Sequence, residues 1–165
     1  MKKQPEKEIM SKKDTKVLLT EEGLERLKAE YEELVQTKRK EVTEKIAKAR
    51  EFGDLSENSE YDSAREEQSF IEGRIMELEE ILSHAKLIEA AGKGSGAVGI
   101  GSHVKVFIEG EEDEFVIVSS VEANPMEGKI SIESPVGKAL MGAKIGDVIT
   151  VSSTIKATYK VLDIK

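Results

Sequence analysis

The spacing of apolar residues changes once along the chain. Between residues 20 and 85, apolar side chains recur at steps of three and four, which is the period of an amphipathic helix. From residue 102 onward, apolar and polar side chains alternate, as they do along half-buried strands. The pattern therefore predicts a helical first half and a second half that is built on a sheet.

The helical half contains two apolar stripes, separated by a short segment around Gly53. Thr20 is a favourable N-cap residue for the first helix, which is predicted to end near Phe52, and the first stripe weakens around residues 38–40. Two long helices joined by a short turn pack antiparallel, so we predict a coiled-coil hairpin with its tip at residues 52–59. Periodicity alone also fits a plain spacer or a dimerising coiled coil. The apolar positions are Leu24, Leu27, Tyr31, Leu34, Val42, Ile46 and Ala49 in the first helix and Tyr61, Ala64, Gln68, Ile71, Ile75, Leu78, Leu82 and Ala85 in the second.

The alternating half is predicted to form a sheet of about five strands. Residues 109–113 and 124–128 are predicted to be turns. Ser134 and Pro135 suit the start of a short helix over residues 136–141, with serine as the N-cap and proline in the first turn. Such a sheet with one packed helix is an α+β domain. The apolar strand positions are Val104, Val106 and Ile108, then Phe115 to Val118, Ile130 and Ile132, Val148, Ile149 and Val151, and finally Tyr159, Val161 and Leu162.

Composition marks the boundaries between these parts. Residues 1–15 are polar and basic and are predicted to be a disordered tail. Residues 16–90 form the predicted arm. Glycine becomes frequent after it, which predicts a flexible linker over residues 91–101. Residues 102–165 form the predicted C-terminal domain.

The chain of 165 residues has a formal net charge of -8, and this charge is concentrated in the arm. Residues 20–90 carry 11 basic and 20 acidic side chains, whereas residues 91–165 carry 8 basic and 10 acidic ones. An acidic protein would ordinarily be a poor candidate for a nucleic-acid partner. Because the surplus lies in one segment, the net charge says little about the surface elsewhere.

Several classes of site and location are excluded by composition. The chain has no cysteine, which removes disulfides, thiol nucleophiles and cysteine-ligated metals, and its 2 histidines make a histidine-based metal site improbable. No apolar run approaches the roughly 20 residues that span a bilayer, and the basic N-terminus lacks the apolar stretch of a signal peptide. We therefore expect a cytoplasmic protein without a membrane partner.

The predicted tip carries two carboxylates that suit a divalent cation. Asp54 and Glu57 are three residues apart, so both lie on one face of the first turn if the second helix begins there. Two hard oxygen ligands hold Mg²⁺ only in part and leave the remaining octahedral positions to water or to other ligands. The same spacing fits a structural role, in which Asp54 is an N-cap and Glu57 closes a capping box.

Several segments resemble the GreA-type bacterial transcript cleavage factors, and together they cover almost the whole chain. They are residues 19–27 (LTEEGLERL), 49–61 (AREFGDLSENSEY), 64–66 (ARE), 70–75 (FIEGRI) and 132–140 (IESPVGKAL), with Gly142, Gly146 and Asp147. This combination is far more specific than an acid pair. Another common form of the family's tip sequence has lysine and alanine where this chain has Ser56 and Ser59, but both acids are present here.

The resemblance implies an elongation factor whose arm enters the secondary channel of RNA polymerase and stimulates cleavage of nascent RNA in backtracked complexes. In this family an aspartate and a glutamate, matching Asp54 and Glu57, help to hold a second Mg²⁺ that is shared with the polymerase and orient the attacking water. Basic residues matching Arg50 and Arg65 contact the RNA near its 3′ end. The resemblance implies a monomer that contributes acids to the polymerase active site and has no turnover site of its own.

The resemblance also implies an FKBP-like fold for the C-terminal domain, which docks on the coiled coil of the largest polymerase subunit. The loop that matches this contact is formed by Glu133, Ser134 and Pro135, the docking loop. Its serine and proline also suit a helix start, and both roles are compatible.

An FKBP-like fold raises a peptidyl-prolyl isomerase or chaperone module as a rival function. Isomerase pockets of this kind are lined with aromatic residues. This half offers only Phe107, Phe115 and Tyr159, which are better explained as core residues. A second rival is a regulator that binds the channel without promoting cleavage.

The basic residues of the first helix have two interpretations. Residues 38–50 carry a net charge of +4, which suits RNA phosphates. The lysines well back on the arm are instead expected to pair with acids of the second helix, because flanking positions of coiled coils are usually paired. Arg50 remains the better RNA candidate, and Tyr61 is expected to be a seam residue.

Overall fold

A computed structural model describes residues 16–51, 59–88, 96–152 and 156–165. The predicted tail, most of the predicted tip and residues 91–95 of the predicted linker lie outside these ranges. No helix within them is long and apolar enough to cross a membrane.

The first helical segment of the arm is continuous from Glu21 to Glu51. It consists of α1 (Glu21–Glu33), a π-helical segment (Leu34–Lys38) and α2 (Arg39–Glu51). Thr20 is the N-cap, as predicted, and its side chain accepts a hydrogen bond from the Gly23 N–H at 3.0 Å. The second segment is α3 (Ser59–Ser83).

The π-helical segment explains why the first apolar stripe weakens. Leu34 and Val42 are eight residues apart, one residue more than two α-helical turns need to keep both on the same face. The additional residue is absorbed by a wider turn, in which the Arg39 N–H donates to the Leu34 carbonyl five residues earlier. The stripe therefore faces α3 both before and after this turn.

Contacts along the arm confirm the predicted antiparallel hairpin. Glu30 contacts Arg74, Arg39 contacts Glu72, and Lys45 contacts Glu67, so the numbering falls on one helix as it rises on the other. Most of the predicted apolar positions lie in the interior, in two clusters that also contain Leu19 and Ile81, which the predicted stripe did not include. One is formed by Val42, Ile46, Ala64, Ile71 and Ile75, and the other by Leu19, Leu27, Leu78 and Ile81.

A short parallel ribbon closes the base of the arm. Strand β1 (Val17–Leu19) pairs with β2 (Ala85–Leu87), and Leu19 is completely buried beneath α1 and α3. The prediction that the helical stripe extends to Ala85 is therefore wrong, because α3 ends at Ser83 and the chain continues as a strand. Pairing between residues so far apart in sequence leaves no periodic signal.

The C-terminal domain contains a five-stranded sheet in the order β5-β4-β3-β7-β6. Strands β4 and β5 run parallel, and the other neighbours are antiparallel. Helix α4 lies over the sheet and, with the strands, confirms the predicted α+β architecture. The elements are β3 (His103–Ile108), β4 (Glu111–Val118), β5 (Lys129–Ser131), α4 (Pro135–Leu140), β6 (Val148–Ser152) and β7 (Lys156–Ile164).

Two predicted boundaries differ from the structure. The turn after β3 consists of Glu109 and Gly110 alone, both with positive φ as tight hairpin turns require, and Asp113 pairs with Val106 inside the sheet. Val98 falls within the predicted linker, yet it is buried in the core and exchanges backbone hydrogen bonds with the segment after α4. The packed domain therefore begins before residue 102.

Candidate functional site

The predicted acidic pair belongs to the segment that joins the two helices at the far end of the arm. Asp54 and Glu57 lie outside the described residues, between Glu51 at the end of α2 and Ser59 at the start of α3. Within the described residues, no group of three or more histidine, cysteine, aspartate or glutamate side chains is arranged to hold a metal ion.

Arg50 is held at the end of the arm by an aromatic ring. Its guanidinium carbon lies 5.7 Å from the centroid of the Tyr61 ring, within the range of a cation–π contact. Tyr61 itself is half-buried against the cluster that contains Val42 and Ile46, which confirms its predicted place in the seam. The contact therefore joins the last turn of α2 to the first turns of α3, next to the segment that carries the acids.

Arg65 lies one helical turn beyond Tyr61 on α3, on the same side of that helix. It is exposed, and its guanidinium donates a hydrogen bond of 2.9 Å to the side-chain oxygen of Gln68. Arg50 lies over the Tyr61 ring, and Arg65 follows one helical turn later along α3.

Two other basic residues of the first helical segment pair with acids of α3, as the coiled-coil interpretation predicts. Lys45 contacts Glu67 at 2.7 Å across the hairpin, and Arg39 contacts both carboxylate oxygens of Glu72 at 2.7 and 2.6 Å. Hydrogen bonding from Arg39 lowers the pKa of Glu72 below its ordinary value. These two contacts join the helices of the arm, and Arg50 and Arg65 remain the predicted RNA contacts near the tip.

The docking loop is held rigidly while two of its side chains remain exposed. The Ser134 hydroxyl donates to the Ser131 carbonyl at 2.7 Å and accepts from the Gly137 N–H at 2.9 Å, so the predicted N-cap is confirmed. The Glu133 N–H donates to the Ser131 hydroxyl at 3.0 Å. Glu133 and Pro135 are exposed at the start of α4.

The fit between α4 and the loop depends on one glycine. A methyl group at Gly137 would overlap the Ser131 carbonyl oxygen, so a larger residue there displaces either the helix or the loop. The docking loop is therefore a fixed surface feature whose shape follows from the packing beneath it.

A contact that the sequence did not indicate joins the arm to the C-terminal domain. Glu122, in a single turn of 3₁₀ helix after β4, is buried and hydrogen-bonded to Thr20 at the start of α1. The two residues are 102 positions apart, so no local pattern relates them. The only sign of this contact in the sequence is that Glu122 is a single acid among small and apolar residues.

Comparisons with known proteins cover both parts of the chain. The family model described as "Transcription elongation factor, N-terminal" matches residues 17–87, and the one described as "Transcription elongation factor, GreA/GreB, C-term" matches residues 93–165. The first match spans the arm with its ribbon, and the second spans the C-terminal domain.

Individual proteins give the same result. The chain is 57% identical over 137 residues to the transcription elongation factor GreA of Thermoanaerobacter pseudethanolicus, covering 82% of this chain and 87% of that protein. It is 52% identical over 138 residues to the GreA of Bacillus subtilis, covering 82% and 87%. Among solved structures, GreA factor homolog 1 of Thermus thermophilus is 36% identical and aligns over 91% of this chain and 99% of its own, with a TM-score of 0.42. The chain belongs to the GreA/GreB family of transcription elongation factors.

Proposed function

We propose that this elongation factor inserts its arm into the secondary channel of RNA polymerase and stimulates cleavage of the nascent RNA 3′ end in backtracked complexes. The observation that carries the proposal is the arm itself. Its first helical segment runs from Glu21 to Glu51, about 45 Å at 1.5 Å per residue, and it ends beside the acidic segment. A narrow rod of this length brings a few charged residues to a site at the end of a channel.

The two tip acids fit a shared Mg²⁺ better than a complete metal site. Asp54 and Glu57 supply two hard oxygen ligands, and an octahedral Mg²⁺ requires further ligands from water and from another molecule. When bound between two such ligand sets, the metal supplies charge stabilisation for hydrolysis of a phosphodiester. The acids of this chain would hold their part of that site and orient the attacking water, so catalysis requires the polymerase.

Arg50 and Arg65 are suited to hold the RNA near these acids. Arg50 lies over Tyr61, and Arg65 is exposed one helical turn further along α3, close in sequence to the segment that carries Asp54 and Glu57. A guanidinium binds phosphate oxygens through several N–H groups, so each arginine can position one phosphate of the extruded RNA.

The docking loop is proposed to bind the coiled coil of the largest polymerase subunit. Glu133 and Pro135 are exposed on a loop that Ser134 and the packing of α4 keep in one conformation. A rigid surface loses little conformational entropy on binding.

The factor works as a monomer in the cytoplasm, where its polymerase is found.

We further propose that the sheet and α4 form an FKBP-like fold without isomerase activity. Phe115 and Tyr159 pack edge to face in the domain interior, with ring centroids 6.4 Å apart. Two of the three aromatic residues of this half thus lie in the core, whereas Phe107 is 43% exposed on β3, so its predicted core role is wrong. A prolyl isomerisation rate well above background would contradict this argument.

The proposed function is tested with a stalled elongation complex that carries end-labelled RNA and Mg²⁺. The chain should accelerate release of 3′ fragments, and Asp54→Ala or Glu57→Gln should abolish this effect while polymerase binding remains nearly unchanged. Asp62→Asn, an exposed acid in the first turn of α3, is the matched control and should retain full stimulation.

The alternative is a regulator that binds the channel without promoting cleavage. That alternative would be supported if the chain competes for the channel but leaves the rate of cleavage unchanged. Undiminished stimulation by the Asp54→Ala variant would also contradict the proposed role of the acids.

A further inference from the structure

The C-terminal domain places a buried carboxylate on the first turn of the arm. Glu122 is only 2% exposed, and both of its carboxylate oxygens are hydrogen-bonded. One accepts from the Thr20 hydroxyl, and the other accepts from the Thr20 backbone N–H and from the Ser119 hydroxyl, both at 3.1 Å. The only nearby guanidinium, that of Arg26 among the described residues, donates to the Glu122 carbonyl and not to its carboxylate. Hydroxyl groups, a backbone N–H and the helix end therefore compensate the charge.

This arrangement makes the capping of α1 depend on the other domain. The Thr20 hydroxyl accepts from the Gly23 N–H and donates to Glu122, so it relays between the helix and the acid. The N-terminus of a helix carries a partial positive charge that favours an anion. A buried carboxylate without such partners is strongly unfavourable, and Glu122 is therefore stable in this position only while it contacts α1.

Gly23 permits the close approach. A methyl group at this position would overlap the Glu122 carboxylate, and Gly23 is itself buried. Its backbone is helical, so the absence of a side chain serves the contact between domains and not a special backbone conformation.

Charged residues surround the buried contact. Lys129 contacts Glu22 at 2.9 Å, the Arg26 guanidinium donates to the Glu122 carbonyl at 3.3 Å, and Arg26 lies 3.9 Å from the Glu127 carboxylate. The segment over residues 119–129, called the clamp below, thus contacts the first two turns of α1 at several points.

The clamp and the docking loop belong to one hydrogen-bonded unit. The hydroxyl groups of Ser120 and Ser131 lie 3.1 Å apart. Ser131 accepts from the Glu133 N–H through its hydroxyl and from the Ser134 hydroxyl through its carbonyl. A continuous path of short contacts therefore joins the surface proposed to bind the polymerase to the base of the arm.

We infer that Glu122 is a positioning residue, which fixes the direction of the arm relative to the docking loop so that docking also aims the tip. The inference rests on the proposed function for its consequence in cleavage. A tilt of about 10° at the base moves the end of an arm of about 45 Å by roughly 8 Å. A misplacement of about 1 Å can reduce catalysis on the order of 100-fold, so loss of the clamp contact abolishes productive insertion before it abolishes binding.

The orientation is measured first, without polymerase. Because the chain has no cysteine, Glu44→Cys on α2 and Lys160→Cys on β7 provide two unique labelling sites, both exposed. Double electron–electron resonance between spin labels on these two cysteines should give one narrow distance distribution for the labelled parent. Glu122→Ala and Gly23→Ala should each broaden it, whereas Thr20→Ser should preserve it because the hydroxyl is retained. Glu111→Gln, an exposed acid away from the clamp, is the matched control.

An unchanged distribution in both Glu122→Ala and Gly23→Ala, with far-ultraviolet circular dichroism showing that both variants are folded, would overturn the inference. If Glu122→Ala does not fold, Gly23→Ala alone decides, since it leaves the acid in place and removes only its access to α1. This experiment uses no polymerase, so its result is independent of the proposed function.

Cleavage then tests the consequence. At saturating factor, Glu122→Ala should lower the maximal cleavage rate by about 10-fold or more, while the concentration for half-maximal effect changes less than about 3-fold. Glu122→Gln, which keeps one acceptor oxygen, should lie between this variant and the parent. A broadened distance distribution with an unchanged maximal rate would overturn the positioning role. If the parent itself does not stimulate cleavage, the proposed function is refuted. The distance measurement alone then decides whether Glu122 fixes the direction of the arm.

Discussion

Arg39 and Glu72 face each other across the arm through two parallel hydrogen bonds of 2.7 and 2.6 Å. Arg39 is the first residue after the π-helical segment, and its backbone N–H also closes the wide turn onto the Leu34 carbonyl. One residue therefore completes the π turn through its backbone and connects that turn to α3 through its side chain. The pair fixes the register of the two helices at the point where the first helix changes its winding.

The first prediction concerns the pH dependence of this pair. Hydrogen bonding from Arg39 lowers the pKa of Glu72 from its ordinary value of 4.5, so the charged carboxylate favours the folded state. This stabilisation is complete above pH 4.5 and is lost as the pH falls through the lowered pKa of the folded state. Glu72→Gln should therefore lower the thermal midpoint at pH 7, and the difference from the parent should shrink at pH 3.

Circular dichroism at 222 nm at the two pH values measures this effect. Glu66→Gln, an exposed acid on the same helix, serves as the control and should show little difference at either pH. A difference between Glu72→Gln and the parent that is the same at pH 7 and pH 3 would show that lost packing, and not lost charge, causes the destabilisation.

The sequence predicts the arm well because its core follows one local period. The apolar positions from Leu27 to Leu78 lie in the seam as expected, and even the weak stretch corresponds to a real change in winding. The nature of that change was not predictable, because an eight-residue step shows that one residue is additional but not which backbone hydrogen bonds absorb it. The ribbon at the base and the contact of Glu122 with Thr20 escaped prediction for another reason. Both depend on residues distant in sequence, and neither repeats.

The second prediction is that the π-helical segment contains a removable residue. Deletion of Thr37, which is exposed, would shorten the step from Leu34 to Val42 to seven residues and allow a regular α-helix through this point. The seam should remain in register, and the thermal midpoint should stay near that of the parent. Deletion of Glu44 is the control, because it rotates Ile46 and Ala49 away from α3.

Full burial of an isoleucine contributes about 1.5–3 kcal/mol, so the Glu44 deletion should be strongly destabilising. The comparison is made by urea unfolding followed by circular dichroism. Equal destabilisation by both deletions would contradict this prediction. It would mean that the arm requires the π turn for its stability and does not merely accommodate an additional residue there.

The third prediction separates two glycines that lie in helices. Gly137→Ala should lower the free energy of unfolding by about 1–3 kcal/mol, because the added methyl group overlaps the Ser131 carbonyl oxygen beneath the docking loop. Gly73→Ala should raise it by about 0.5–1 kcal/mol, since nothing lies within 4 Å of a methyl group there and alanine favours the helix. Chemical denaturation of the two variants measures both changes.

The same pair of variants tests the docking loop. Gly137→Ala should weaken binding to the polymerase because the loop is displaced. Gly73→Ala should leave the position of the loop and the binding unchanged. Amide hydrogen exchange at Glu133 and Ser134 would report that displacement directly. Unchanged exchange and unchanged binding in a destabilised Gly137→Ala variant would show that the loop does not depend on this packing.

The fourth prediction concerns the cation–π contact of Arg50 with Tyr61. If the ring holds the guanidinium in position for RNA, Tyr61→Leu should reduce stimulated cleavage although leucine still fills the seam. Arg50→Ala should reduce it at least as much and should also lower the slope of log rate against log salt concentration by about 0.7, the value for one phosphate contact on a single strand. Tyr61→Leu keeps the charge and should change that slope less.

Tyr61→Phe is the matched control, because it keeps the aromatic face and should retain cleavage near the parent rate. Arg65→Ala extends the test to the second predicted RNA-contact arginine, and the double variant with Arg50→Ala should lower the salt slope by about twice as much as either alone. The measurement is subsaturating cleavage of a stalled complex at several salt concentrations. Full cleavage activity of Tyr61→Leu, together with reduced activity of Arg50→Ala, would mean that the arginine contacts RNA without help from the ring. Equal salt slopes for Arg50→Ala and the parent would show that Arg50 does not contact the RNA.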